Sequence, residues 1–535
     1  VKTTILLIGI VLLAGFLRFW QLSTLPPSLT WDEVAWGYNA YSLGIDGKDE
    51  FGRFLPLDYL ESYGDYKPPI YAYLEVLPIK VFGLTEFATR FSSAFFGTLM
   101  VLVTYFLTKR IFFSSSKKEW YGLAASLFLA VSPWHIMLSR AAFEANIATF
   151  FIAVGVWLYV SWIQDKKSIF LFLSLTSFIL SMYTFNSARI VAPLLVMLLA
   201  FSFWKQILHY KKLVGIASLI GVILLIPAIH FFLSPQSKLR YNEVNIFSDV
   251  GLVKQSNQEI ANDKNAVWSK VIHNRRLIYS IAYIQHYLDN LNPSFLFISG
   301  DGNPKFSTRD VGQLYLLDIP LLIVSILFLF RKRIDYWWIV PVWLLLAIIP
   351  AGVARETPHA LRTEGALPTW QILSAVGLVE ISFFFKKQRK IVLSVFLGLF
   401  TLSVFYFLHG YYAHYSREFS GEWQDGYKDA LLYAKTHDNE YAHVVFTSAL
   451  GRPYMYTLFY EKINPTTFRA TSTITRDAFG FVNVEKVGKY NFPKEIVAMK
   501  NTLYIVSPSE LPEHAIVLKK FLLQNGQPSL VAYTL

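Results

Sequence analysis

The chain has 535 residues, 54% hydrophobic and only 16% charged, with 45 Phe, 31 Tyr and 14 Trp. So apolar a composition excludes an ordinary soluble enzyme and marks a polytopic α-helical membrane protein. The lack of cysteine excludes disulfides, thiol nucleophiles and thiolate metal sites, and the net charge of +12 is spread as short blocks between apolar runs, which argues against a nucleic-acid partner.

The first apolar run, 4–20, has no small-x-small cleavage site and continues into Arg18-Phe19-Trp20, so it reads as a retained signal-anchor helix. Further runs long enough to cross about 30 Å of hydrocarbon as helix lie at 89–108, 121–138, 145–163, 168–185, 189–204, 213–233, 314–330, 336–352, 366–385 and 391–409. That predicts eleven spans. The positive-inside rule tests the count. Alternate loops carry Lys109, Arg110, Lys117 and Lys118; Lys166 and Lys167; Lys205, Lys211 and Lys212; Arg331, Lys332 and Arg333; and Lys386, Lys387, Arg389 and Lys390. The opposite short connections hold only Arg140, Arg189, Arg355 and Arg362. This asymmetry predicts a cytoplasmic N-terminus and puts everything after Gly410 outside.

Three segments exceed simple connectors: 21–88, 234–313 and 410–535, all on the predicted outer side. The expected organisation is a membrane domain over 1–410, with outer loops 21–88 and 234–313, and a small extracytoplasmic α/β domain over 411–535. In that last part helix-like stretches (423–435, 453–460) alternate with strand-like ones (443–447, 502–507, 530–534).

Chemistry-bearing residues collect on the same side. Asp32-Glu33 follows the first span closely, and carboxylates at a membrane boundary sit where water, a cation or a substrate compensates them. A helix cap is an equally good account of the pair, and 34–43 reads as an interfacial helix. Tyr66 and Lys67 precede Pro68-Pro69, which fix the start of a helix where ammonium and helix dipole together suit an anion. Arg140 and Glu144 stand four apart, the spacing of a helical ion pair. Arg189 follows Asn186 in a short outer connection, Asp301 and Asn303 lie in a Gly-Asp-Gly-Asn-Pro turn, and Arg355, His359 and Arg362 crowd one further connection. No HExxH or EF-hand spacing marks a metal site, so no cofactor is assigned and a divalent cation is left open.

Taken together and in order, the WDE pair, the KPP-I-Y-x-Y-L run, the PWHxxxSRAAFE stretch, the FLFxxGDxNP loop and the RETPHALR connection resemble bacterial glycosyltransferase family 39. That family includes protein O-mannosyltransferases and the aminoarabinose transferase that modifies lipid A. The resemblance covers roughly 1–410. It implies a GT-C-like bundle with interfacial helices in the first outer loop, a bacterial plasma-membrane location, a polyprenyl-phosphate sugar donor, and a protein, lipid or polysaccharide acceptor. It further implies an inverting transfer with Asp32 as catalytic base, Glu33 beside it, and Lys67 on the donor phosphate. Arg140, Arg189, Arg355 and Arg362 become candidates for further contact with that phosphate, and Tyr66, Glu144, Asp301, Asn303 and His359 are candidate substrate-binding residues. The competing readings are a flippase for lipid-linked glycans, an oligosaccharyltransferase or ligase moving a preassembled glycan, and a receptor built on the outer α/β domain.

Overall fold

The computed structural model describes residues 2–237, 245–385, 387–476 and 482–535. Lys386 of the expected inner cations and 238–244 of the second outer loop lie outside the described residues. All eleven predicted spans fall on helices. Lys2–Phe19, Glu86–Ile111, Glu144–Asp165, Lys211–Leu233 and Arg389–Trp423 are each long and apolar enough to cross a membrane alone. Two more spans are helix pairs: Lys118–Ala130 with Pro133–Arg140, bent by 56°, and Ala360–Ala366 with Thr369–Phe384, bent by 57°. In each pair a proline, Pro133 or Pro368, stands at or just before the start of the second helix, where its missing N–H breaks the ladder at least cost. Ser168–Met182, Ala188–Ser202 and Ile339–Gly352 are shorter apolar helices, and Asp318–Lys332 carries charge at both ends. The protein is a multi-pass membrane protein.

The chain packs into two compact units. The first comprises 1–17, 96–138 and 145–407. At its centre Thr369–Phe384 lies against Asp318–Lys332 and Lys118–Ala130. The approach is so close that a Cβ on Gly377 would lie 2.0 Å from the Leu321 carbonyl oxygen, so only glycine fits there.

The second unit comprises 18–95, 139–144 and 408–535. Its helix α1 (Trp31–Asp46) is followed by a hairpin, β1 (Leu60–Ser62) and β2 (Asp65–Lys67), and by helix α2 (Ile70–Phe82). The C-terminal part adds a seven-stranded sheet formed by β3 (His443–Phe446), β4 (Ser472–Arg476), β5 (Val482–Val487), β6 (Tyr490–Asn491), β7 (Thr502–Val506), β8 (Ile516–Leu522) and β9 (Pro528–Thr534). Its strand order is β4-β5-β6-β3-β7-β9-β8, with β3 parallel to both β6 and β7 and the other pairs antiparallel. One core serves loop and sheet alike: Val34, Ala35 and Tyr38 of α1 join Phe446, Tyr454, Leu458, Phe459, Phe468 and Ile505. Gly37 permits this, since a Cβ there would meet Phe459 and Thr89 at 2.6 Å. The helix expected to lie along an interface is thus buried over most of its surface.

Candidate active site

Residues of the second unit build the site from the N-terminus of α1. Thr30 is the N-cap: its hydroxyl accepts from the Glu33 N–H at 3.3 Å, and the Glu33 carboxylate accepts from the Thr30 N–H at 2.9 Å. This reciprocal cap turns the Glu33 side chain back toward the chain entering the helix. There it is wholly buried and saturated. Arg90 donates from Nε at 2.8 Å and from Nη2 at 3.3 Å, and the Ala142 N–H donates at 2.9 Å. Arg90 in turn donates to the carbonyls of Leu22, Pro26 and Ser28. Glu33 and Arg90 therefore pin three separate chain segments together.

Asp32, one residue earlier, turns outward. Its side chain is 44% exposed, and one carboxylate oxygen accepts from both Lys67 Nζ and the Tyr63 hydroxyl. Lys67 also donates to the Tyr63 oxygen, so three polar groups close on one another. Lys67 is 7% exposed, with its ammonium 5.0 Å from the centre of the Trp36 ring and 4.7 Å from that of Tyr63. Aromatic faces thus compensate its burial. Burial, then the charge of Asp32, holds the Tyr63 phenol well above its usual range, so it stays a donor.

Hairpin geometry explains how Tyr63 arrives there. Ser62 pairs with Asp65, leaving a two-residue loop in which Tyr63 (φ 43°) and Gly64 (φ 84°) both take the left-handed conformation of a type I′ turn. The Tyr63 N–H is fixed by the Tyr454 hydroxyl at 3.0 Å, and that hydroxyl donates to the fully buried Glu50 at 3.1 Å. Tyr66, singled out in the sequence, alternates away from Lys67 along β2 and packs edge-on against Tyr59. The phenol that meets Asp32 is Tyr63.

Arg140 and Glu144 do not share a helix: one helix ends at Arg140 and the next begins at Glu144. The Arg140 guanidinium is wholly buried and donates to the carbonyls of Arg18, Trp20 and Leu25 and to the Tyr412 hydroxyl. Glu144 is half-buried, and the charges acting on it most strongly are Lys67, then Asp32.

The remaining candidates belong to the first unit. Asp301 caps the short helix at Ala360, accepting its N–H at 2.6 Å, and accepts the Asn303 N–H at 2.8 Å; burial raises its carboxyl to about 6. Asn303 accepts from the Lys305 N–H and so closes the turn. The His359 ring packs at a tilt of 33° against Phe306, their centres 5.0 Å apart, and burial, then Arg362, lowers it to about 3, leaving a neutral ring. Arg355 donates to the Asn245 carbonyl, while Arg189 donates to that of Met182 and lies 4.9 Å over Phe231. Among the described residues no three His, Cys, Asp or Glu side chains converge to hold a metal ion.

Sequence reasoning passed over Tyr63 and Arg90. A Tyr-Gly pair between two short alternating runs was the available signal for the first, and an arginine inside an otherwise apolar run the signal for the second.

Residues 8–236 match the family model for dolichyl-phosphate-mannose-protein mannosyltransferase. That stretch is less than half of the chain, and over it the chain is similar to that family. An uncharacterized protein of Aquifex aeolicus (strain VF5) is 30% identical over 165 residues, 29% of this chain and 32% of that one. The match thus spans about a third of that relative's length. ArnT from Cupriavidus metallidurans, in its apo state, superposes with a TM-score of 0.53 at 12% identity, covering 99% of this chain and 97% of that chain. The Archaeoglobus fulgidus oligosaccharyltransferase in complex with Zn and sulfate gives 0.50 at 11%, covering 86% of this chain and 61% of that one. Identities this low speak for the fold alone, and the fold is the GT-C membrane fold with a C-terminal sheet domain.

Proposed function

We propose that this protein is a polyprenyl-phosphate-sugar-dependent glycosyltransferase acting on the outer face of a bacterial plasma membrane. The observation that carries the reading is the half-exposed Asp32 carboxylate held by Lys67 and Tyr63 at a helix N-terminus, with a family domain laid over the same stretch. Two structures of like fold support the donor class: ArnT is seen bound to undecaprenyl phosphate, and the archaeal oligosaccharyltransferase with a dolichol-phosphate.

In the proposed step Asp32 takes the proton of an acceptor hydroxyl as its oxygen bonds to the anomeric carbon. The bond from that carbon to the phosphate oxygen breaks on the opposite face, giving inversion and a free polyprenyl phosphate. That leaving group needs no acid, because cations already in place stabilise its charge. Lys67 supplies one, with its Asp32 contact giving way to the phosphate. Glu33 holds the helix end rigid and takes no proton. Arg140 acts likewise as a structural clamp, and Arg189, Arg355, Arg362, Asp301, Asn303 and His359 stay second-rank candidates for lipid and acceptor contact.

The test is transfer of radiolabel from polyprenyl-phosphate sugars by the purified protein in nanodiscs, with a parallel lipid-linked oligosaccharide. Release of one sugar with polyprenyl phosphate supports the reading. Movement of the whole glycan would favour the oligosaccharyltransferase-type alternative, and an Asp32→Asn protein active at the wild-type rate would remove Asp32 as base.

A further inference from the structure

The cations around Asp32 are almost all engaged. Within the second unit Lys67 is bound to Asp32, Arg90 to Glu33 and three carbonyls, and Arg140 to three carbonyls and Tyr412. Arg53 is paired with Asp58, Arg469 with Asp46, and Arg476 with Glu61. A leaving phosphate carries charge that Lys67 alone meets only by giving up Asp32.

Arg452, in the loop between β3 and the helix Pro453–Tyr460, differs from all of these. Its guanidinium carbon lies 4.8 Å over the centre of the Tyr63 ring, the ring whose hydroxyl binds Asp32 and Lys67. The side chain is exposed, and among the described residues it makes no hydrogen bond or ion pair to the protein. Stacking on a ring face leaves the five N–H donors of a guanidinium directed outward, available to a planar or tetrahedral oxyanion.

Backbone strain points the same way. Arg452 has φ 51°, after Gly451 at φ 81° and directly before Pro453. A long side chain is disfavoured in the left-handed region, more so ahead of proline, and such positions concentrate at functional sites. Glycine would satisfy this backbone better.

We infer that Arg452 is a phosphate-binding residue contributed by the C-terminal sheet domain, which completes with Lys67 the cationic side of the Asp32 site and binds the phosphate of a polyprenyl-phosphate ligand. The inference rests on the function proposed above. It also gives the C-terminal part a chemical task beyond packing.

The test uses the full-length protein in nanodiscs and titrates a short-chain polyprenyl phosphate and, separately, inorganic phosphate into wild type, Arg452→Ala, Arg452→Lys and Arg452→Gly. Loss of a charge-assisted hydrogen bond predicts binding weakened about tenfold or more in the alanine variant, with donor KM raised by the same factor. Lysine restores part, as a point charge without the fork. Arg452→Gly should melt no lower than wild type yet bind as weakly as the alanine variant, a split that a merely structural arginine would not give. Weakening toward the lipid alone places the headgroup there, and equal weakening toward inorganic phosphate shows that the phosphate suffices; both support the inference. Wild-type affinity in both the alanine and glycine variants overturns it while leaving the proposed function standing. A wild-type protein that binds no polyprenyl phosphate overturns both.

Discussion

Adjacent carboxylates with opposite fates make the sharpest prediction. Glu33→Gln keeps the shape of a side chain that accepts four hydrogen bonds, two on each oxygen, from Thr30, Ala142 and twice from Arg90. An amide replaces one of those acceptors with a donor and removes the countercharge of a guanidinium that is 0% exposed. Breaking a buried ion pair from one side costs about 3–5 kcal/mol. Asp32→Asn removes a charge that is 44% exposed, and Lys67 keeps the Tyr63 hydroxyl and two ring faces, so the cost is about 0–1 kcal/mol after solvent screening. The assay is thermal unfolding of both variants in the same detergent, beside transfer activity. Glu33→Gln should unfold far below wild type, while Asp32→Asn should unfold with it and transfer nothing. An Asp32→Asn protein less stable than Glu33→Gln would refute the assignment of reactive and structural roles.

Tyr63→Phe deletes the hydroxyl shared by Asp32 and Lys67; initial transfer rates should fall by about 10–100-fold with the fold retained, and an unchanged rate would remove Tyr63 from the site. Glu50 is fully buried against Ser62, Asn39 and Tyr454, and burial raises it to about 8. Between about pH 4.5 and 8 the folded state therefore holds a proton that the unfolded state has lost, so this contribution to stability declines as pH rises and is gone above pH 8. Thermal scans from pH 5 to 9 should show that decline in wild type and a flatter profile in Glu50→Gln. Gly37→Ala places a Cβ 2.6 Å from Phe459 and Thr89; overpacking of about 1–3 kcal/mol should appear as a lowered unfolding midpoint, and a neutral result would contradict the packing of α1 on the C-terminal helix.

Long apolar runs made the apolar helices legible, because a membrane span has to be apolar over its whole length. The same apolarity concealed Arg90, which reads as a blemish in a span until its contacts with Glu33 and three carbonyls are seen. Lys67 and Asp32 were readable as a charged pair on one side but not as partners, since a hairpin of three-residue strands brings them together. Tyr63 was hidden because a tyrosine in the left-handed region runs against its own preference, leaving Gly64 as the only turn signal. In the C-terminal part the buried β3 and β7 show as apolar runs, whereas β8 is an exposed edge strand with Lys519 and Lys520, and β4 is polar. Edge strands are built without the alternation that reveals inner ones. The packing of α1 against that sheet joins residues about 400 positions apart, as in the contact of Tyr38 with Ile463, which no local pattern encodes.

The Asp32-Glu33 pair follows from helix geometry once Thr30 is the cap. Consecutive helical residues point about 100° apart, so a side chain at the third position that turns back to the cap leaves the second facing elsewhere. Burying Glu33 costs desolvation, which Arg90 and the N–H groups of Thr30 and Ala142 offset, while the carbonyls of Leu22, Pro26 and Ser28 satisfy the rest of the Arg90 guanidinium; leaving Asp32 outside keeps its carboxylate accessible to an acceptor. Neither residue performs both tasks. An aspartate at the cap-facing position would be one methylene short of the Thr30 N–H, and a glutamate at the outer one would add a rotatable bond to the group proposed to meet a hydroxyl within hydrogen-bond reach. On this reasoning the swapped pair Asp32→Glu with Glu33→Asp should lose both stability and transfer, although charge, count and spacing are all preserved.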